Sequence, residues 1–511
     1  MALITNHWSL DVIITLIILI ITVYFYMTRN FKYWQKRGVL EITPLPFMGN
    51  FTECLILKKS PGYFLKDIYD QAKGHPYIGF YIFDKPFLLL RDHELIKNIL
   101  MKDFNTFFDR YASADPSDRI GYATLFSIKN PAWKIIRTKL TPFFTSGKLK
   151  KMFGLMLECT KNLEDYLDSL KLKGEGKIID VKDLSAKLTM NVINSTAYGL
   201  DTNPFKDPNF YKYGRMIFNN SYIRSWEILA LFFLPNVVRR TRFKLFGKET
   251  TIFLRKIFWE TITKRMESDT KRNDLIDILV ELKKNSSNED IEGFKFDGDD
   301  LMAQAASFFS AGFETSAVPI AFTLYELALH PEIQNTVRNE MLQVLDDSNG
   351  KITYDMIMSL PYLDTVVFEI LRMYPPLSFL NRMTMQTYKV PNSDLVLEKG
   401  TPIYIPMLGL HYDPEYFPDP YKFDPERFNE QNKHNRPSCV YLPFGEGPHA
   451  CIGTRFGLIL IKLTLIKILS KYEVIPCEKT LIPMVIEQGS TVTSPLNGVI
   501  YLNMREINTI N

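Results

Sequence analysis

The chain has 511 residues, 46% hydrophobic and 23% charged, so it can bury a large core and is neither disordered nor fibrous. Its formal net charge of +4 is too small to imply nucleic-acid binding. The five cysteines (Cys54, Cys159, Cys439, Cys451, Cys477) are scattered and form no CxxC pair, which argues against a zinc site or a disulfide framework and fits a reducing compartment.

The first element is a nearly uninterrupted apolar run over 12–27, slightly short of the ~20 residues a spanning helix wants; residues 8–10 and the flanking polar residues bring it close. No Lys or Arg precedes it, and bulky Tyr24, Phe25, Tyr26 and Met27 end it, so a cleaved signal peptide fits poorly. Arg29, Lys32, Lys36 and Arg37 follow, which by the positive-inside rule places the downstream chain on the cytosolic side. Residues 1–28 therefore read as a signal anchor. Residues 29–50, with Pro44 and Pro46, read as a basic, proline-rich linker, and 51–511 as one large domain.

Residues 77–90 read as two strands around Asp84-Lys85-Pro86. Residues 104–126 are loop-like, and 133–140 return to helix. From 148 to 291 the spacing is mostly helical, with breaks near 171–177, 201–208 and Pro235. Residues 299–328 are the longest helix candidate. Another helix runs over 361–374 until Pro375 and Pro376 stop it, and 485–501 reads as a hairpin turning at 494–498. The fold class is mainly α with a small β-sheet region.

Four motifs carry chemistry. In the stretch from Pro443 to Gly453, three glycines and two prolines surround Cys451, and an apolar helical run follows. Glycines let a backbone bend tightly and approach a flat partner, and a helix beginning past Cys451 aims its amide dipoles at the sulfur, which favours thiolate. Such a loop suits an axial haem ligand. Glu369 and Arg372 pair at i and i+3, and Pro425-Glu426-Arg427-Phe428 follows later. Trp133 and Arg137 put an aromatic and a cation on one helix face. In Ala311-Gly312-Phe313-Glu314-Thr315-Ser316, Gly312 weakens the helix and the Thr315 hydroxyl competes for a backbone carbonyl. Glu314 and Thr315 there supply an acid and a hydroxyl for a proton relay. Pro319, four residues after Thr315, cannot donate to its carbonyl, so a kink is expected.

The pattern Phe444-x-x-Gly447-x-His449-x-Cys451-x-Gly453 resembles the haem-binding signature of the cytochrome P-450 monooxygenases. The Glu369–Arg372, Arg427 and Ala311–Ser316 motifs match the same family. The resemblance implies the cytochrome P-450 fold behind an N-terminal transmembrane anchor helix, with 51–511 as the catalytic domain. It implies heme b with Cys451 as the thiolate ligand to iron, and Phe444 and Gly453 in the haem-side loop. It places Trp133, Arg137, Arg382 and His449 (where most members carry Arg) at the haem propionates. Glu369, Arg372 and Arg427 would form a buried structural cluster, and Glu314 and Thr315 would route protons to iron-bound oxygen. Lys139, Lys148, Lys150 and Lys151 would dock an acidic flavoprotein.

The implied reaction inserts one atom of O2 into a small apolar substrate, with NADPH-derived electrons from NADPH-cytochrome P-450 reductase and cytochrome b5 as a further donor. The expected location is the endoplasmic reticulum membrane, with membrane lipid as a partner and no nucleic acid. The stretch Trp133-Lys134-x-x-Arg137-x-Lys139-Leu140-Thr141-Pro142 is similar to insect microsomal members that oxidise plant toxins and insecticides. Three alternatives compete: oxidation of an endogenous hormone or lipid, an isomerase or dehydratase of oxygenated lipids, against which Thr315 argues, and a non-catalytic haem carrier or sensor.

Overall fold

The computed structural model describes residue 5 and residues 7–507 apart from 219–220, 269 and 287–288. Its first element, α1 (Trp8–Thr28), is longer than the apolar run that predicts it: 21 residues, or about 31 Å of helix. It is long and apolar enough to cross a membrane, and most of its side chains are exposed.

The segment after α1 does not hang free as a linker. Trp34 is fully buried, and its ring occupies the space where a Cβ on Gly79 would stand (2.2 Å). Glu41 and Gly49 bridge to Gly79 and Ile82 of strand β1 (Tyr77–Ile82). β1 pairs antiparallel with β2 (Lys85–Leu90), and consecutive residues of both strands (78–82 and 87–90) are buried, so the pair is covered on both faces.

The helical body follows. Helices α2 (Ala132–Leu140) and α3 (Ser146–Ser169) are separated by a single 3-10 turn and a short break. A strand that helical periodicity conceals, β3 (Lys177–Asp180), precedes α4 (Val181–Tyr198). The Asp180 carboxylate caps α4 by accepting from the amides of Lys182 and Asp183 at 3.0 and 3.2 Å. Helices α5 (Asn209–Ile217), α6 (Tyr222–Phe233) and α7 (Pro235–Thr241) lie beyond it.

The central element is α8 (Gly298–Leu329), 32 residues and about 48 Å long. It is buried almost all round, as an apolar helix in the middle of a large core must be. It packs along α4. Pro319 lies inside it, and the helix is continuous through that residue.

The C-terminal third carries α9 (Pro361–Met373), β4 (Leu380–Met383), the short ladder β5 (Tyr388–Lys389) and β6 (Val396–Leu397), β7 (Pro402–Ile405), α10 (Thr454–Leu469), β8 (Tyr472–Ile475) and β9 (Tyr501–Glu506). The larger sheet has the order β1-β2-β7-β4 and a second sheet the order β3-β9-β8. The expected hairpin over 485–501 is half formed. Residues 485–496 fold back on themselves, the Leu496 amide donating to the Val485 carbonyl at 2.8 Å. The chain from Tyr501 instead pairs with β3 and β8, because a strand between two partners satisfies both of its edges.

Candidate active site

The cysteine loop closes on itself between β7 and α10. The Cys451 amide donates to the Phe444 carbonyl at 2.8 Å, and the Ala450 amide to that of Gly447 at 2.9 Å. Gly445 and Gly447 take φ of 69° and 73°. At Gly447 a Cβ would lie 2.1 Å from the Leu100 carbonyl oxygen, so only glycine fits there. Gly453 caps α10.

Cys451 exposes surface, yet burial raises its thiol pKa. The two agree if that surface opens onto an interior chamber. The Gly453 amide, the Thr454 hydroxyl and the guanidinium groups of Arg137 and Arg110 pull the other way without prevailing. The thiolate expected from the helix terminus is thus not supplied by the protein alone. A metal cation on the sulfur would displace the proton.

Around the loop stands a group of buried and half-buried cations. Arg382, on β4, is 2% exposed; its Nη1 donates to the Asn381 carbonyl at 2.8 Å, and its Nε has no partner. Arg110 donates to the carbonyls of Phe126 at 3.2 Å and His449 at 3.4 Å. Arg137, on α2, is half-buried. Among the described residues none of these three arginines forms an ion pair with a carboxylate. Burial lowers Arg382 to about 9 and Arg110 to about 10. Lys129 is half-buried beside them, donates to the Ala112 carbonyl at 2.8 Å and is lowered to about 8.

His449 lies against the Trp133 ring, centroids 3.9 Å apart, with Phe104 at 5.4 Å. Its Nε2–H donates to the Phe108 carbonyl at 2.7 Å, and its Nδ1 is buried without a partner. Burial, then Arg110 and Arg382, push its pKa far down. It is a neutral ring, not a titrating substitute for a cation. Arg110 and Lys129 escape a motif search because each stands alone in loop sequence.

A haem fits this arrangement. Its propionates would answer Arg110, Arg137 and Arg382, which form no ion pair among the described residues, and its iron would answer the raised thiol of Cys451.

The opposite wall is one stripe of α8. Phe308 stacks on Phe144 at 5.4 Å, and Phe144 lies 3.7 Å from where a Cβ on Gly453 would stand. Ala311 and Thr315 lie three and seven residues past Phe308 and share its face. The Thr315 hydroxyl donates to the Ala311 carbonyl, as expected of a hydroxyl competing for the backbone. Gly312 serves packing: a Cβ there would meet the Ile193 side chain at 2.3 Å.

Glu314 is not on this stripe. Its Oε1 pairs with Lys182 Nζ of α4 at 2.7 Å, both side chains nearly buried. The two residues read as a relay are thus separated by about 100° of helix rotation. Glu314 and Phe313 instead line a cavity of ≈ 880 Å³ with Lys182, Tyr211, Phe218 and Ser494.

The remaining charged motif supports the loop from behind. Arg372 forms two hydrogen bonds with Glu369, at 2.7 and 2.8 Å, both residues being fully buried. Arg427 Nε lies 3.4 Å from Glu369 Oε1, and the Asp424 amide donates to the same oxygen at 3.0 Å. His411, which no motif flagged, connects this cluster to the cysteine loop.

Of the basic stretch, Lys139 is spent on Glu289 at 3.0 Å and Lys150 on Asp355 at 2.7 Å. Lys148 and Lys151 form no ion pair among the described residues.

A family model described as "Cytochrome P450" matches residues 41–501. The chain is 45% identical over 516 residues to cytochrome P450 6k1 of Blattella germanica, covering 98% of each chain. It is 43% identical over 505 residues to cytochrome P450 6j1 of the same organism, covering 98% of this chain and 99% of that one. It is 40% identical over 489 residues to probable cytochrome P450 6g2 of Drosophila melanogaster, covering 93% and 94%. With a matching family model over most of its length, a cysteine loop and unpaired cations suited to haem, the chain belongs to the cytochrome P450 family of haem-thiolate monooxygenases.

Proposed function

We propose that the protein holds heme b with Cys451 as its axial ligand and oxidises small apolar molecules, plant toxins and insecticides among them, using O2 and NADPH-derived electrons from a membrane reductase. The observation that carries this is the set of cations Arg110, Arg137 and Arg382, which form no ion pair among the described residues, around an accessible cysteine. When bound, haem would supply the activation of O2 and transfer of one oxygen atom to substrate.

The protein's share is positional. Arg110, Arg137 and Arg382 bind the carboxylates of the cofactor, and Trp133 and the neutral His449 ring wall that edge. Phe444 and Gly453 flank the ligand. Thr315, with its hydrogen directed to Ala311, offers its hydroxyl oxygen to a water on the chamber side. Glu314 is held by Lys182, so a proton passing from it to Thr315 requires that ion pair to open.

The apolar helix Trp8–Thr28 and the insect relatives support an endoplasmic reticulum location with the domain facing the cytosol and a reductase, aided by cytochrome b5, as electron donor. A reduced, carbon-monoxide difference spectrum of membranes containing the protein, beside a Cys451→Ala control, tests the reading. A red-shifted Soret band present only in the wild type is expected. No haem band in folded wild-type protein would overturn it.

A further inference from the structure

The cavity lined by Phe313 and Glu314 lies across α8 from the cysteine loop. Phe313 stands two residues past Ala311, about 200° of helix rotation away from the stripe that faces Cys451. The other walls come from α4, α5 and the turn over 487–498, and neither Cys451 nor the arginines around it line the space. At ≈ 880 Å³ it is the size of a small-molecule site, which spans about 300–1,000 Å³.

Charge decides what it would hold. Three acids line the cavity, and each already has its answer. Glu314 pairs with Lys182 at 2.7 Å. Asp183 pairs with Lys187 at 2.8 Å and accepts from the Tyr211 hydroxyl. Glu487 accepts from the amides of Gly489 at 3.4 Å and Asn497 at 3.2 Å. Two cations have no acid. Lys212 and Arg215, three residues apart and so on one face of α5, are exposed at the rim and form no ion pair among the described residues. Each meets only a ring, of Tyr213 at 5.9 Å and of Tyr211 at 5.8 Å. Beyond these cations the wall turns apolar: Met216 and Phe218 are half-buried, and the Phe218 ring lies 6.4 Å from that of Phe313.

We propose that this cavity binds an amphipathic carboxylate as a second ligand that does not reach the cofactor. Lys212 and Arg215 hold its carboxylate, and Met216, Phe218 and Phe313 cover its tail. The guanidinium fork of Arg215 suits a carboxylate, and burying the tail on the three apolar side chains removes it from water.

The probe is decanoic acid carrying a diazirine at its apolar end, photolysed with the full haem-loaded chain in phosphatidylcholine nanodiscs and mapped by mass spectrometry. Saturable labelling of the peptides holding Met216, Phe218 and Phe313 is expected, with an unchanged Soret band. Unlabelled decanoate should compete and decanol should not. The variant K212Q/R215Q changes two exposed helical positions and should raise the half-saturating concentration roughly tenfold. Absence of labelling at those peptides would overturn the proposal. So would equal competition by decanol, an unshifted curve in the double variant, or a Soret shift that saturates together with the labelling and so places the acid beside the cofactor. The labelling map does not depend on the Soret band, so a failure of the haem assignment is read separately.

Discussion

The Nε2 of His411 accepts a hydrogen bond from the Leu442 amide at 3.0 Å, while its Nδ1–H donates to the Arg372 carbonyl at 3.1 Å. Arg372 returns a bond to the His411 carbonyl at 2.9 Å. One neutral imidazole thus joins the Glu369–Arg372 cluster to the chain leading into the cysteine loop. Burial lowers its pKa from 6.5 to about 3. The folded state binds fewer protons than the unfolded one between those values. The stabilisation is complete above 6.5 and is lost as pH falls towards 3, on the order of 5 kcal/mol over the full span. Urea unfolding at about pH 7 and pH 5 should show the wild type weakening on acidification. The His411→Gln variant, weaker at neutral pH, should show a shallower acid dependence; an unchanged slope would remove His411 from this role.

Glu369→Gln leaves Arg372 fully buried with its charge uncompensated. The expected loss is about 3–5 kcal/mol, with lowered haem retention read as Soret absorbance per protein. Arg427→Gln should cost less, since Arg427 approaches Glu369 at 3.4 Å and also donates to the Asp419 carbonyl.

Lys182→Met strands the Glu314 carboxylate between α4 and α8. A loss of about 3–5 kcal/mol is expected for this single change, and much of it should return in Lys182→Met/Glu314→Leu. A thermal or urea double-mutant cycle with no coupling would mean that the pair does not hold the two helices together.

Gly447→Ala and Gly445→Ala separate backbone strain from collision. Both glycines have positive φ, but an added Cβ meets the Leu100 oxygen at 2.1 Å only at Gly447; at Gly445 the nearest atom is 3.8 Å away. Gly445→Ala should cost about 1 kcal/mol and keep haem. Gly447→Ala should cost several-fold more and lose haem, measured by the Soret-to-protein absorbance ratio.

Local patterns made much of this protein legible. The apolar run before Arg29, the long helix over 299–328, the strand pair at 77–90 and the glycine loop around Cys451 depend on periodicity, turn chemistry and residue type, which act over a few positions. The Phe444–Gly453 and Glu369–Arg372 motifs were readable for the same reason. Short strands were not: Lys177–Asp180 has no periodicity to detect in four residues, and it exists because β9 offers it a hydrogen-bonding edge.

What only the tertiary structure decided is which side chains meet. Glu314 and Thr315 are neighbours in sequence, yet helix rotation sends one to Lys182 and leaves the other beside Ala311. Arg110 and Lys129 join the cation group, and His411 joins Leu442 to Arg372, across chain separations that no local pattern records. Sequence alone determined the longer elements and the glycine loop that presents Cys451, because backbone preferences are local. The charge environment of the site came from packing, because Coulomb and desolvation energies depend on distance through space, not along the chain.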